Sequence, residues 1–334
     1  MIITKYDAKF VLIVILIMVL FLLSLMLGSV SIPFQSVISI LLGKNDNSTW
    51  QYIILESRLP QALTAFIAGG ALSVSGLLLQ TTFRNPLAAP DIFGVTGGAS
   101  LAVALLMLAP GFIVTGTLGY LSSVMAAFVG AIVITALLWF FSQRVRSSVI
   151  LIIIGIMVGY LCSSAITLLN SFATEEGVRS FVIWGMGNYS SVGMDEMPVF
   201  ALIAVPAIVA TLFFVKPLNA LLLGPQYAES LGINIKLVRN VSLVLTGLLT
   251  AVVTAFCGPV SFLALAVPHI TRLFIKTSDH RHLLPMTILT GSCVSLLCNV
   301  ITTFPSNGTL LPLNAITPLI GAPVIIYVIT NKTK

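Results

Sequence analysis

Ten acidic residues, three histidines and four cysteines are the side chains of this 334-residue chain best suited to acid–base, nucleophilic or metal chemistry. Their spacing builds no reaction centre. Cys162, Cys257, Cys293 and Cys298 all fall inside apolar stretches and form no C-x-x-C pair. They read as small buried hydrophobes, not as a disulfide framework or a metal site. His280 and His282 belong to the polar run Ser278–His282 and are expected in solvent. His269 follows Pro268 near the end of an apolar stretch. A haem ligand or proton shuttle competes there with a simpler role, a ring nitrogen bonded to a loop carbonyl, and the simpler role is preferred. No G-x-x-x-x-G-K-[ST] phosphate loop is present, because Gly43-Lys44 lacks the preceding glycine. Covalent chemistry, a metal and a cofactor in this chain are therefore not expected, and any ATP with its magnesium would sit on a separate subunit.

The carboxylates carry a different message. Asp7, Asp46, Glu56, Asp91, Glu175, Glu176, Asp195, Glu196, Glu229 and Asp279 all fall in loops or at the ends of apolar runs. A proton- or sodium-coupled carrier keeps a carboxylate in the membrane interior to bind its coupling ion. None is placed there, which disfavours a secondary transporter, although an ion site built from backbone carbonyls stays open.

The elements that must position these groups are membrane helices. The chain is 58% hydrophobic and 8% charged, where soluble domains carry about 25% charged residues. Apolar runs reach the roughly 20 residues that cross a bilayer as helix. Ten spans are expected, at 10–30, 60–82, 93–109, 117–141, 148–168, 197–215, 238–256, 258–275, 283–301 and 313–330. The run after Val11 is too long for a signal-peptide core and precedes no A-x-A site, so it reads as the first span. With both termini in the cytoplasm, only Lys44, Arg58 and Arg179 of the sixteen Lys and Arg residues fall outside. That positive-inside bias accounts for the net charge of +6 without nucleic acid. Small residues four apart, such as Gly69 with Ser73, Gly94 with Gly98 and Gly155 with Gly159, suit close helix packing in lipid. For Gly155 and Gly159 a glycine-lined path or hinge is the alternative.

One cytoplasmic segment, Lys216 to Asn234, is neither span nor short turn. Pro217, Gly224, Pro225 and Gly232 divide it into two short helices, and Leu218, Leu221, Leu222, Tyr227, Ala228 and Leu231 make it amphipathic. On these residues alone it is an interfacial helix or a partner contact.

Two signatures are more specific. The first runs RLP at residues 58–60, then SGLLLQTTFRNPLAAPDIFGVTGGA at 75–99, with Asn85, Pro86, Gly94, Gly97 and Gly98. The second holds Phe256, Gly258, Pro259, Phe262, Leu265, Pro268, His269 and Arg272. Together they resemble the permease subunit of ATP-binding-cassette importers for iron-siderophores, haem and vitamin B12. The resemblance covers about residues 50–330 and implies an all-α membrane protein. It would be a single permease domain, 1–334, with a bundle like that of the vitamin B12 importer permease, in the bacterial cytoplasmic membrane.

By the same resemblance, residues 217–234 are coupling helices that sit in a cleft of the ATPase, with Gly224, Ala228, Glu229, Leu231 and Gly232 carrying the contact. Two permease chains would line the path, and an extracytoplasmic binding protein would deliver a ferric siderophore, haem or cobalamin. Arg58 matches an outer-face arginine that docks the binding protein. The glycines and prolines of both signatures, with His269 and Arg272, take structural or gating roles, and Arg272 is expected to snorkel to the inner interface. Ser163, Ser164, Thr167, Asn170 and Asn314 are candidates for lining the path or for bonding between helices.

The chain departs from the family pattern in places. Gln61 stands where a second outer arginine is usual, Asn299 where the ninth span commonly has Asp, Thr302 and Thr303 where an Arg follows, and Thr309-Leu310 where a Glu precedes the last span. The missing arginine points to a heterodimer with a related permease in preference to a homodimer.

Overall fold

The computed structural model describes residues 5–44, 47–108, 116–145, 147–303 and 311–332. Asp46, Arg146, Lys334 and Thr309-Leu310 lie outside the described residues. The helices in chain order are α1 Lys5–Met26, α2 Phe34–Leu41, α3 Ser48–Tyr52, α4 Leu59–Thr82, α5 Val95–Met107, α6 Gly116–Arg144, α7 Ser148–Phe172, α8 Glu175–Gly185, α9 Met197–Leu212, α10 Val215–Leu222, α11 Pro225–Ser230, α12 Ile235–Cys257, α13 Leu263–Ile275, α14 His280–Thr303 and α15 Leu313–Lys332. Each expected span has its helix. Six segments are long and apolar enough to cross a membrane on their own, and α9 with α10 makes a seventh, bent by 50°. The helices α5, α13 and α15 are shorter apolar ones.

Burial separates centre from rim. The apolar windows of α4, α12 and α14 are 83%, 72% and 61% buried, against 22% for α1 and α7 and 28% for α6. The rim of this chain is therefore α1, α6 and α7, wrapped around a core of α4, α12 and α14. Composition explains the division. α4 carries Ala62, Ala65, Ala68, Gly69, Gly70, Ala71, Ser73, Ser75 and Gly76, and these small side chains let neighbours approach from every side. At Gly76 an added Cβ would lie 2.5 Å from the Ala264 carbonyl carbon and 2.9 Å from its Cα, so the α4 and α13 backbones touch there. On the α4–α14 seam, Gly69 and Gly291 each face the other's backbone carbonyl. At Gly155 a Cβ would stand 2.8 Å from the Phe93 Cα, so this glycine packs α7 against the start of α5.

Three boundaries differ from expectation. The second span begins far upstream of residue 60: helix runs continuously over Ser48–Thr82, through a π-helical turn at Ile53–Arg58. The eighth span starts at Leu263, not 258, because Gly258 at φ +73° and Phe262 at φ +68° cannot continue a right-handed helix. The outer segment 169–196 holds the amphipathic helix α8, whose N-terminus is capped by the Thr174 hydroxyl accepting from the Gly177 amide at 3.2 Å.

The two ends of the bundle are distinguished by contacts. The Tyr6 ring stacks on His282 with centroids 4.5 Å apart, and Lys9 donates to the Phe274 carbonyl. The start of α1, the 276–282 turn and α10, bonded to that turn through Asn219, thus share one end.

Candidate functional site

The cytoplasmic end is built around the α10–α11 hairpin. Gly224, at φ +107°, turns the chain between the two helices, and Gly232, at φ +79°, turns it out of α11. The Asn234 side chain then caps α12 by accepting from the Leu237 amide at 2.9 Å. Ala228 is fully buried in a small cluster with Ala220, Leu221 and Val238. Its small side chain closes the hairpin on itself and does not face outward. Outward exposure belongs to Leu222, Leu223, Tyr227 and Leu231, at 46, 63, 54 and 55%, with Glu229 beside them. Large apolar side chains gathered on one exposed face mark an interaction surface. Leu223, which the sequence reading passed over, belongs to that face.

From this hairpin a chain of hydrogen bonds enters the bundle. Asn219 on α10 donates from Nδ2 to Asp279 Oδ1 at 2.6 Å. Its Oδ1 accepts from the His280 amide at 2.8 Å and from His280 Nδ1 at 2.9 Å. His280 Nε2 meets the Thr81 hydroxyl of α4 at 3.0 Å. His280 was expected in solvent, yet it is fully buried, because both ring nitrogens have partners there. Asp279 also accepts from the Arg281 amide at 2.9 Å, and this bond, with Asn219, holds its carboxyl below the usual carboxylate range.

The two signatures meet next to this point. Arg272, expected to snorkel to the inner interface, instead turns into the bundle, and its Nη1 donates to Gln80 Oε1 at 2.7 Å. Gln80 Nε2 in turn donates to the Leu265 carbonyl at 3.1 Å. His269 Nε2 donates to the Pro86 carbonyl at 2.8 Å, and Asn85 holds that loop by accepting from the Leu87 amide at 2.9 Å. Gly94, at φ +75°, opens α5; a Cβ there would stand 2.9 Å from the Gly155 carbonyl. Gly98 packs against α6, 2.8 Å from the Gly130 carbonyl by the same measure, whereas Gly97 meets Cys162 Cβ at an ordinary 3.6 Å. The signature residues thus fasten α13 and α5 to α4, α6 and α7, and no metal-holding group of three His, Cys, Asp or Glu occurs among the described residues.

The opposite, outer end corrects two readings. Arg58 is 6% exposed, and its guanidinium donates to the Leu25 and Met26 carbonyls, both at 2.8 Å, and to the Val30 carbonyl. Carbonyls at and just after the C-terminus of α1 hold it inward, so it presents no charge to a docking partner in this structure. Gln61, where a second arginine was expected to face outward, is buried too, and its Nε2 donates to Asn299 Oδ1 at 2.8 Å. The two departures from the family pattern are thus partners of each other. Asn314 uses its whole side chain between elements. Nδ2 donates to the Gly185 and Pro259 carbonyls at 2.9 and 2.8 Å, and Oδ1 accepts from the Ser261 amide at 3.0 Å. It bonds the starts of α13 and α15 to the end of α8. Gly258 lies beneath this contact, where a Cβ would stand 2.5 Å from the Trp184 carbonyl. Ser163, Ser164 and Thr167 remain exposed on α7, and Asn170 is half-buried.

The architecture is that of a multi-helix membrane bundle with a structured hairpin at one end. The chain belongs to the FecCD transport family, whose model matches residues 16–331. It is 31% identical over 321 residues to the hemin transport system permease protein HmuU of Yersinia pestis, covering 96% of this chain and 94% of that one. It is 33% identical over 286 residues to the vitamin B12 import system permease protein BtuC of Salmonella typhi, covering 85% of each. Among solved structures, one of a metal-chelate type ABC transporter in an inward-facing conformation matches at a TM-score of 0.83 and 28% identity, over 96% of this chain and 97% of that one. The protein is a multi-pass permease of an ATP-binding-cassette importer, not an enzyme; ATP hydrolysis belongs to a separate ATPase subunit, and a substrate-binding protein completes such an importer.

Proposed function

We propose that this chain is one permease half of an importer that carries a ferric siderophore, or a similar bulky iron chelate, across the cytoplasmic membrane. Haem and cobalamin are the alternatives within the same family. The observation that carries the transport class is family membership over residues 16–331. The relatives named above handle hemin and vitamin B12, both large metal chelates. A path able to pass such a cargo needs polar groups in the membrane, and the exposed hydroxyls Ser163, Ser164 and Thr167 on α7 suit it. An ion-coupled carrier is disfavoured because the described carboxylates sit in loops or near helix ends.

In this reading the ATPase grips the α10–α11 hairpin through Leu222, Leu223, Tyr227 and Leu231, with Glu229 at the rim and Gly224 and Gly232 setting the turns. Nucleotide binding shifts the population between outward and inward openings by contacting the hairpin differently in the two states. Binding-protein docking falls to exposed outer charges such as Lys44 and Arg179, since the Arg58 guanidinium is spent on carbonyls. Two permease chains form the path. A related but different second chain is favoured over a second copy, because Gln61, turned inward onto Asn299, supplies no outer charge for docking. The test is uptake by proteoliposomes holding the permease, ATPase and binding protein, offered labelled ferric siderophore, hemin and cobalamin in turn. Preferential ATP-dependent uptake of the siderophore supports the reading. Preference for hemin or cobalamin replaces the cargo, and uptake driven by an ion gradient without ATP rejects the class.

A further inference from the structure

We infer that Asn219 and His280 are the positioning pair that carries displacement of the cytoplasmic α10–α11 hairpin into the central helices α4 and α14. The inference rests on the reading of that hairpin as the ATPase contact. Covalently, the hairpin is connected to the bundle by compliant joints: the 50° bend after α9 on one side, and the Gly232 turn on the other. Beyond these joints, buried Leu218 packs α10 onto the core, and a saturated bridge of side chains adds a directional link. Asn219 supplies that bridge, with every atom of its carboxamide engaged on Asp279 and His280 at the start of α14. Because Nδ1 donates its proton to Asn219 Oδ1, Nε2 is the acceptor for the Thr81 hydroxyl, and the neutral ring satisfies both neighbours at once.

The receiving end is stiff. Thr81 lies in the last turn of α4 and is 6% exposed. α4 and α14 are joined further along by the Gly69–Gly291 contact, which leaves no slack between the backbones. One residue before Thr81, Gln80 takes the Arg272 guanidinium of α13. A shift of α10 is therefore delivered to three helices, α4, α13 and α14, through adjacent residues. Contiguous networks of this kind are the physical carriers of coupling between distant sites.

The test uses the assembled importer in proteoliposomes, with ATP turnover and substrate import measured in parallel. Asn219→Leu keeps the side-chain size and removes the amide; Thr81→Val removes one hydroxyl at constant shape. The expected result is wild-type co-purification with the ATPase and sustained ATP turnover, with import per ATP reduced about fivefold or more for Asn219→Leu, the low end of common coupling energies. Thr81→Val lowers the same ratio by a smaller factor. Wild-type import per ATP in both variants overturns the inference. Should Asn219→Leu fail to assemble, Thr81→Val decides alone: a reduced ratio supports the bridge and an unchanged one rejects it. Failure of the hairpin reading looks different, because then the wild-type chain itself shows no hairpin-dependent association with the ATPase.

Discussion

Gln61 and Asn299 allow a quantitative test of how this bundle tolerates charge. The two side chains are 8% and 2% exposed and share one bond of 2.8 Å between α4 and α14. Gln61→Arg places a guanidinium where the only partner seen for this side chain is a neutral amide oxygen, so its charge is buried without compensation. Asn299→Asp does the same with opposite sign. Leaving one member of a buried ion pair alone costs about 3–5 kcal/mol, so each single variant should lose on the order of 3 kcal/mol of stability. The double variant restores opposite charges at hydrogen-bond distance. It should recover about half of the summed loss, a coupling of about 3 kcal/mol. The assay is reversible denaturation in mixed micelles, read by helical circular dichroism, on the wild type and all three variants. Single losses that add in the double variant to within about 0.5 kcal/mol would show that the two positions do not communicate, and would refute the pairing.

Gly76→Ala should force α4 and α13 apart, because its Cβ would fall 2.5 Å from the Ala264 carbonyl carbon. Overpacking of this kind costs about 1–3 kcal/mol or more, and a matched Gly185→Ala, with nothing within 4 Å of its Cβ, should be neutral in the same thermal melt. Tyr227→Ala combined with Leu231→Ala removes two exposed apolar side chains from the hairpin without touching its core. Affinity for the ATPase, measured in nanodiscs, should fall about tenfold or more, as for truncation of interface anchors; unchanged affinity would remove this face from the contact. Arg58→Ala removes the donor to the Leu25, Met26 and Val30 carbonyls, of which Met26 keeps the Ile32 amide. It should cost about 1–3 kcal/mol of stability while leaving binding-protein affinity unchanged; a lost affinity at wild-type stability would return Arg58 to a docking role.

Much of the architecture was legible because a bilayer permits few solutions. Runs of apolar residues marked ten segments, each of which has its helix. The first signature was legible as a family mark, and Pro217, Gly224, Pro225 and Gly232 announced the two short helices. His269, read as bonded to a loop carbonyl, meets that of Pro86, but where most other polar side chains turn was not legible. Arg58 looked like a surface charge by position, but the open carbonyls ending α1 lie 28 to 33 residues away along the chain. His280 looked solvated in a polar run, yet its partners Thr81 and Asn219 come from two other helices. Gln61 and Asn299 were noticed separately as departures, and only the fold brings together residues 238 positions apart. The helix α8 was missed because its 11 residues, charged at the start and aromatic towards the end, contain no span-length apolar run.

The most direct test of the account is import by the complete assembly. The permease, purified from native membranes in mild detergent with its co-purifying chains, is reconstituted with the binding protein, and labelled ferric siderophore uptake is followed with and without ATP. The account predicts a stoichiometric ATPase, two permease chains per complex, and uptake that requires hydrolysable ATP. A lone chain that carries its cargo down an ion gradient, indifferent to ATP, would contradict it.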